Sequence, residues 1–290
     1  MKILKLIPVL FALVILNACS SDSSSSSSVD ESFTFIYDGQ TINVTTWEAQ
    51  RRENQIAVSG YGANGMSISL EFNTNGNIGE VDTYSLTDAS VTLHNAQAYY
   101  TNESFTFNLI SVNASNKTVE VSFTGKVYED GYDLTTPFVN VQGSFLLEYT
   151  DIVAEIPGFG VYAKVAGADW YSSHSDQEGG FFSGSDVTIS SYNGAQYSIN
   201  VTTNHDDTTV GTYNFTPSSS TNKVTLAKYN TTDDYFEEHN CTGTLNITSK
   251  VVGLQSTVVS GTYSFTAVYP VTNATITVAN GTFTEAYANY

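Results

Sequence analysis

Val141-Gln142-Gly143-Ser144-Phe145-Leu146-Leu147-Glu148-Tyr149 places Val141, Gly143, Phe145, Leu147 and Tyr149 on one side of an extended chain, with mostly polar neighbours on the other. Val259, Gly261, Tyr263, Phe265, Ala267 and Tyr269 repeat that alternation near the end of the chain. Period-two alternation enriched in β-branched and aromatic residues marks antiparallel strands with one buried face. Working outward, nearly every segment after residue 19 reads the same way. Asn64-Gly65, Asn75-Gly76, Asn193-Gly194 and Asn280-Gly281 interrupt the runs as turn-forming pairs. No stretch carries a helical apolar stripe, and Trp47 to Glu53 has room for one helical turn at most. Many short strands joined by such turns predict an all-β fold of sandwiches or barrels; two tandem antiparallel β-sandwiches are expected here.

The chain also repeats itself. Ile56-Ala57-Val58-Ser59-Gly60-Tyr61 with Met66-Ser67-Ile68-Ser69-Leu70 has a gapless counterpart in Val187 to Tyr192 with Tyr197 to Val201. In the same order, Asp82 to Leu86 answers to Gly211 to Phe215, and Val91-Thr92-Leu93 to Val224-Thr225-Leu226. Thr124 to Val127 matches Thr242 to Leu245, and Val141 to Phe145 matches Val259 to Tyr263, these two at one shared offset. Blocks kept in order predict a duplication. The first half carries an extra apolar segment, Ser104 to Val112, and the second adds Ala274 to Phe283. Glu155-Ile156-Pro157-Gly158 punctuates the boundary. The expected division is a first sandwich over 31–154, a linker over 155–160 and a second sandwich over 161–290.

The start of the chain predicts a location. Met1-Lys2-Ile3-Leu4-Lys5, an apolar run from Leu6 to Leu16 and a small residue at Ala18 form a secretory signal over 1–18. The apolar run falls short of the roughly 20 residues that a membrane span needs. Leu16-Asn17-Ala18-Cys19 resembles the lipobox of bacterial lipoproteins. That resemblance implies cleavage before Cys19 and lipidation of Cys19 with a diacylglyceryl group and a further acyl chain such as palmitate. Two or more chains anchor stably where a single one gives only marginal binding. Ser20-Ser21-Asp22 and the serines Ser23 to Ser28 cannot bury apolar surface, so 19–30 is expected to act as a flexible tether.

Composition removes several function classes. The chain has 290 residues and a formal net charge of −19, and cleavage would also remove Lys2 and Lys5. Such a field repels nucleic-acid phosphates, so no nucleic-acid partner is expected. With Cys19 lipidated, Cys241 stands alone and no intrachain disulfide can form. Stability must come from burial, which either half is long enough to supply.

Further motifs resemble a family. Asp38-Gly39 and Ala166-Gly167 follow opening strands; Gly211-Thr212-Tyr213, Gly261-Thr262-Tyr263-Ser264-Phe265 and Asn280-Gly281-Thr282-Phe283 follow later. Together with the lipoprotein start, these resemble uncharacterised all-β lipoproteins of Bacteroidota, best over Val161 to Phe283. The resemblance implies a fold and an outer-membrane location, exposed at the cell surface in some relatives, and transfers no catalytic residue. The first half departs from it, since Asp82 stands in place of the first glycine and the terminal Asn-Gly-Thr-Phe is missing.

No pattern of catalysis stands out. His94, His174, His205 and His239 show no metal-ligand spacing, and no Gly-x-Ser-x-Gly elbow occurs. His205-Asp206-Asp207, Glu237-Glu238-His239 and Glu129-Asp130-Gly131-Tyr132-Asp133 read as turn chemistry. Neither a cofactor, a metal nor an enzyme is expected. The aromatics carry the remaining signal: 19 Tyr, 16 Phe, Trp47 and Trp170. Tyr99-Tyr100, Trp170-Tyr171 and Phe181-Phe182 are adjacent pairs, and strand neighbours point to opposite faces, so one of each pair is a candidate for ligand stacking. Trp170 aligns with Ile42, which favours a core role for it. Asp207-Thr208-Thr209 resembles an O-glycosylation motif of Bacteroidota, with Thr208 as acceptor. The expected function is a non-catalytic, lipid-anchored envelope protein binding carbohydrate or an outer-membrane protein partner. The alternatives are a structural or adhesive spacer and a glycan-acting hydrolase with carboxylates hidden in loops.

Overall fold

A computed structural model describes residues 29–87, 90–173, 181–233 and 235–289. The expected signal segment, Cys19, most of the expected tether and His174 lie outside the described residues. The chain is built almost wholly of antiparallel strands, and its one helical element among the described residues is the 3-10 turn Thr101–Glu103. Trp47 is in a strand rather than a helical turn, because Trp47 to Arg52 pairs with the next strand and Glu53 turns the chain at φ 53.

The first half opens with β1 (Ser32–Tyr37), β2 (Gln40–Arg52), β3 (Gln55–Gly62), β4 (Met66–Asn73) and β5 (Ile78–Thr87). It continues with β6 (Ser90–Asn95), β7 (Phe105–Asn113), β8 (Thr118–Tyr128), β9 (Phe138–Glu148) and the short β10 (Thr150–Asp151). Their order is β1-β9-β8-β6-β5-β4-β3-β2-β10, and β1 also pairs β2, so the sheet closes on itself. The expected sandwich is therefore a barrel in this half. Full closure removes the exposed edges that two open sheets would leave. Register shifts at Val44/Thr46, Leu70/Phe72 and Leu109/Ser111 provide the bends. Phe35, Ile56, Leu70, Phe72, Val121, Phe145 and Leu147 fill the interior.

The second half begins with β11 (Gly160–Val165), β12 (Ala168–Tyr171), β13 (Phe181–Ser183), β14 (Asp186–Ser191), β15 (Tyr197–Asn204) and β16 (Gly211–Phe215). It ends with β17 (Lys223–Asn230), β18 (Tyr235–Glu238), β19 (Asn240–Val252), β20 (Ser256–Val268) and β21 (Thr275–Ala288). One sheet runs β12-β11-β21-β20-β19-β16, the other β13-β14-β15-β17-β18. Val187, Ile199 and Leu226 of the second sheet share one core with Ala163, Leu245, Phe265 and Val278 of the first.

The halves agree in their opening hairpins and diverge later. Phe35 opposite Ile42 corresponds to Ala163 opposite Trp170, which is buried as Ile42 is. Val58 opposite Leu70 likewise corresponds to Ile189 opposite Val201. In the first half a single 13-residue strand, β2, serves both hairpins. In the second half two strands do so, β12 in one sheet and β13 in the other. That division opens the barrel into two facing sheets. The later blocks part company: β5 lies between β4 and β6, whereas β16, its expected counterpart, pairs β19 in the opposite sheet.

The Gly-Thr-Tyr-x-Phe and Asn-Gly-Thr-Phe motifs are two sides of one contact. Gly261 faces Phe283, and Tyr263 faces Gly281. A Cβ at Gly281 would lie 2.2 Å from the Tyr263 ring, and one at Gly261 would lie 2.7 Å from the Phe283 ring. Each glycine leaves the space that the opposite ring fills. Asn280-Gly281 is consequently no hairpin turn: it lies inside β21 at a bulge, with Asn280 at φ 54, a conformation Asn tolerates. Gly281→Ala should destabilise the protein by about 2 kcal/mol or more, and Thr282→Ala on the exposed face by less than about 1 kcal/mol. Urea unfolding midpoints of the two variants check this. Equal losses would show that the ring contact contributes nothing.

Candidate functional site

The halves meet through buried polar contacts and a knot of rings. The Ser172 carbonyl accepts from Asn73 Nδ2 at 3.0 Å and from Gln55 Nε2 at 3.2 Å. The Asn102 N–H donates to the Gly194 carbonyl at 2.9 Å, and the Gly158 N–H donates to the Glu53 carboxylate at 2.9 Å. Gly79 allows the approach, since a Cβ there would lie 2.6 Å from the Ser173 carbonyl oxygen. Tyr99 packs its ring 5.0 Å from Tyr192 and 5.5 Å from Phe236, and Tyr100 packs 6.1 Å from Tyr229. The adjacent tyrosines thus join the two halves.

Beside this joint lies a cleft of about 770 Å³, within the range of roughly 300–1,000 Å³ typical of ligand sites. Strands β5 and β6 and the segment Ala96 to Tyr99 form one wall; β14, Tyr192 and Glu285 of β21 form the other. Tyr132 reaches the rim on a turn that is built locally. Asp130 Oδ1 accepts from the Tyr132 N–H at 2.9 Å, and the Gly131 carbonyl accepts from the Ala98 N–H at 3.0 Å. Only glycine fits at position 131, because a Cβ would stand 2.4 Å from the Ala96 carbonyl oxygen. Phe181 is 75% exposed and Tyr132 66%, with Tyr84 and Leu93 also open to solvent. Apolar surface so placed beside polar groups is a feature of binding clefts.

Two carboxylates line the interior. Burial pushes Asp82 up to about 6, aided by the Glu80 charge and opposed by a hydrogen bond donated from Asn95 Nδ2. Burial lifts Glu285 to about 7, and the Ser191 hydroxyl, donating at 2.9 Å, offsets only part of this. Glu285 sits between Phe283 and Tyr287 at core-facing parity on β21, so the end of the sandwich core opens into the cleft. The phenols of Tyr84, Tyr132 and Tyr192 are raised as well, chiefly by burial, and remain neutral at physiological pH. Among the described lining residues there is no lysine, arginine or histidine.

The aromatic residues singled out by sequence divide between this site and other roles. Tyr99 and Phe181 line the cleft, and Tyr100 belongs to the joint. Trp170 is core, 4% exposed. Tyr171 packs 4.8 Å from Tyr162 on the six-stranded sheet, and Phe182 packs 6.0 Å from Tyr287 beside Ser185 and His205. Thr208 is 1% exposed; its hydroxyl donates to Asn222 Oδ1 at 2.5 Å and accepts from the Asn204 N–H at 2.7 Å. In the folded chain the expected acceptor hydroxyl is thus buried and holds a turn. Cys241 is buried, with its thiol pushed up to about 11 by burial, and is an inert core residue. Among the described residues no three His, Cys, Asp or Glu side chains gather as a metal site would require.

Asp82, Glu285, Gln97 and Tyr132 escaped the sequence reading, although two signals were present. Asp82 marks the place where the first half departs from the Gly-Thr-Tyr block, and Glu285 is a charge at an inward position of an apolar strand.

The domain of unknown function DUF6252 matches residues 163–286, which places an uncharacterised family over the second half. No curated protein and no solved structure matches the chain.

Glu285 has a folded-state pKa above its ordinary 4.5, so the native state holds a proton that the unfolded chain has released. Its stabilising effect is complete below about pH 4 and is lost as pH rises through about 7. Glu285→Gln should therefore exceed the parent in stability at pH 8 by on the order of 2 kcal/mol, with the difference shrinking toward pH 4.5. Denaturant titrations at both pH values check it. A difference that stays constant with pH would mean that Glu285 titrates in the folded protein as it does in the unfolded chain.

Proposed function

We propose that this chain is a lipid-anchored protein of the outer membrane whose two β units bind a saccharide, without turning it over, in the cleft between them. The observation that carries this reading is one concave site in which exposed rings of Tyr132, Phe181 and Tyr84 flank buried hydrogen-bonding groups. Sugar rings present apolar C–H faces for stacking and hydroxyls for polar contacts, so a ligand of that class suits both halves of the lining. The lipobox resemblance at Cys19 and the serine run support anchoring and reach. The strongly acidic chain speaks against nucleic acid or an anionic headgroup as the partner.

A second reading, glycan hydrolysis, is favoured by one observation: Asp82 and Glu285 are two carboxylates of raised pKa in a single cleft. Ligand recovered intact after prolonged incubation at pH 5 to 7 supports binding alone, and new reducing ends support hydrolysis.

Two outcomes are expected. In cells fed an alkyne fatty acid, the wild-type protein labels and sediments with the outer membrane, whereas Cys19→Ser does neither. An unlabelled, soluble wild type would refute the anchor. On a glycan array, the detergent-solubilised full chain binds a defined set of saccharides, and Tyr132→Ala combined with Phe181→Ala weakens that binding roughly tenfold or more at unchanged melting temperature. An array blank for the wild type would refute the saccharide reading.

A further inference from the structure

Taking the saccharide reading as its basis, we infer that the cleft selects a sugar bearing a free amino group, held as an ammonium among Asp82, Glu285 and Gln97. Three independent features converge on that chemistry.

The first is uncompensated acidity. Asp82 is held by Asn95 and Glu285 by Ser191, both neutral partners, and among the described residues no lysine or arginine pairs with either carboxylate. Removing a carboxylate from water is costly unless a counter-charge is brought to it. A neutral sugar supplies hydroxyl donors but no such charge.

The second is an acceptor with no donor. Gln97 lines the same cleft at 2% exposure, and its buried Oε1 has no hydrogen-bond partner. A buried acceptor left unpaired costs about 1–3 kcal/mol, which a ligand donor would recover. An ammonium group carries three donors and no acceptor, the complement of a site built from acceptors.

The third is the rim. Tyr84 and Tyr132 are neutral phenols with exposed ring area, and aromatic faces attract cations.

Among the described residues the groups acting on the carboxylates are Glu80, Tyr84, Asn95 and Tyr132 at Asp82, and Ser191 and Tyr263 at Glu285, none of them cationic. Entry of an ammonium therefore draws both acids to their ionised form and releases protons near neutral pH.

Calorimetry on the detergent-solubilised full chain tests this with a glucosamine oligomer, its fully N-acetylated counterpart, a neutral hexose oligomer of equal length, and spermidine. The glucosamine oligomer should bind at least roughly tenfold tighter than either neutral oligomer. Asp82→Asn and Glu285→Gln should each shrink that preference. Should a variant fail to fold, the wild type still decides the matter. Titrations at pH 5.5, where the sugar amine is already fully protonated, in two buffers of different ionisation heat should show proton release from the two acids with the glucosamine oligomer and none with the N-acetylated one. Equal affinity for the charged and acetylated oligomers would overturn the inference while leaving saccharide binding intact. Spermidine binding as tightly as the glucosamine oligomer would overturn it as mere counter-ion attraction. No binding by any saccharide would remove the underlying reading as well.

Discussion

An aromatic ring lying over a strand glycine is the contact on which both halves of this protein depend. Phe283 covers Gly261, Tyr263 covers Gly281, Phe33 covers Gly60, Phe105 covers Gly125, and Phe123 reaches Gly143. In four of these pairs the glycine and ring are direct cross-strand partners. Glycine in a strand costs roughly 0.5–1 kcal/mol relative to alanine, so each position needs a compensating gain. The ring supplies it by covering backbone that would otherwise be solvated. The same contact pins register, because a slip of one residue would drive the ring into a side chain and turn the buried face outward. With the described cysteine free and buried, such contacts do work that small exported domains commonly assign to disulfides.

From this shared device the halves reach different closures, and the difference traces to one strand. Where β2 runs unbroken through both of its hairpins, the sheet closes into a barrel. Where its counterpart is divided between β12 and β13, two sheets face each other. The open end of the second unit exposes the interior parity of β14 and β21, and Ser191 and Glu285 stand there instead of apolar side chains. The first unit presents β5 to the same space with Asp82 outside the barrel, since Val81 and Thr83 are its buried neighbours. The cleft is thus a consequence of joining a closed unit to an opened one.

Alternation made the all-β class legible, and turn pairs such as Asn64-Gly65 and Asp38-Gly39 located real hairpins, because these signals act within a few residues. The correspondence of the opening hairpins between the halves was legible from block order for the same reason. Barrel closure was not legible. It depends on β1 pairing β9, a contact between residues more than a hundred positions apart, which no local pattern encodes. The site escaped for a related reason. Adjacent aromatic pairs say only that one member faces outward, and the joint absorbed Tyr100 while the core absorbed Trp170. Asp82 and Glu285 come from different halves, and only the docking of those halves brings them to one cleft. Each had nonetheless left a mark as a residue out of keeping with its strand, which is where conflict between folding and function is expected to surface.

The energetic logic of that conflict favours a ligand over a purely structural role for the acids. A carboxylate lifted by burial weakens the fold as pH rises, and an asparagine or glutamine of like shape would satisfy Asn95 or Ser191 without that burden. Nothing in the packing of β5 or β21 calls for the charge: Asp82 accepts one neutral hydrogen bond, Glu285 accepts another, and among the described residues no cation pairs with either. Gln97 adds an acceptor left open at the same place. Three polar groups that cost the fold stability, all on the wall of one cleft, have a common physical explanation if a donor-rich, positively charged ligand offsets the cost of all three on binding.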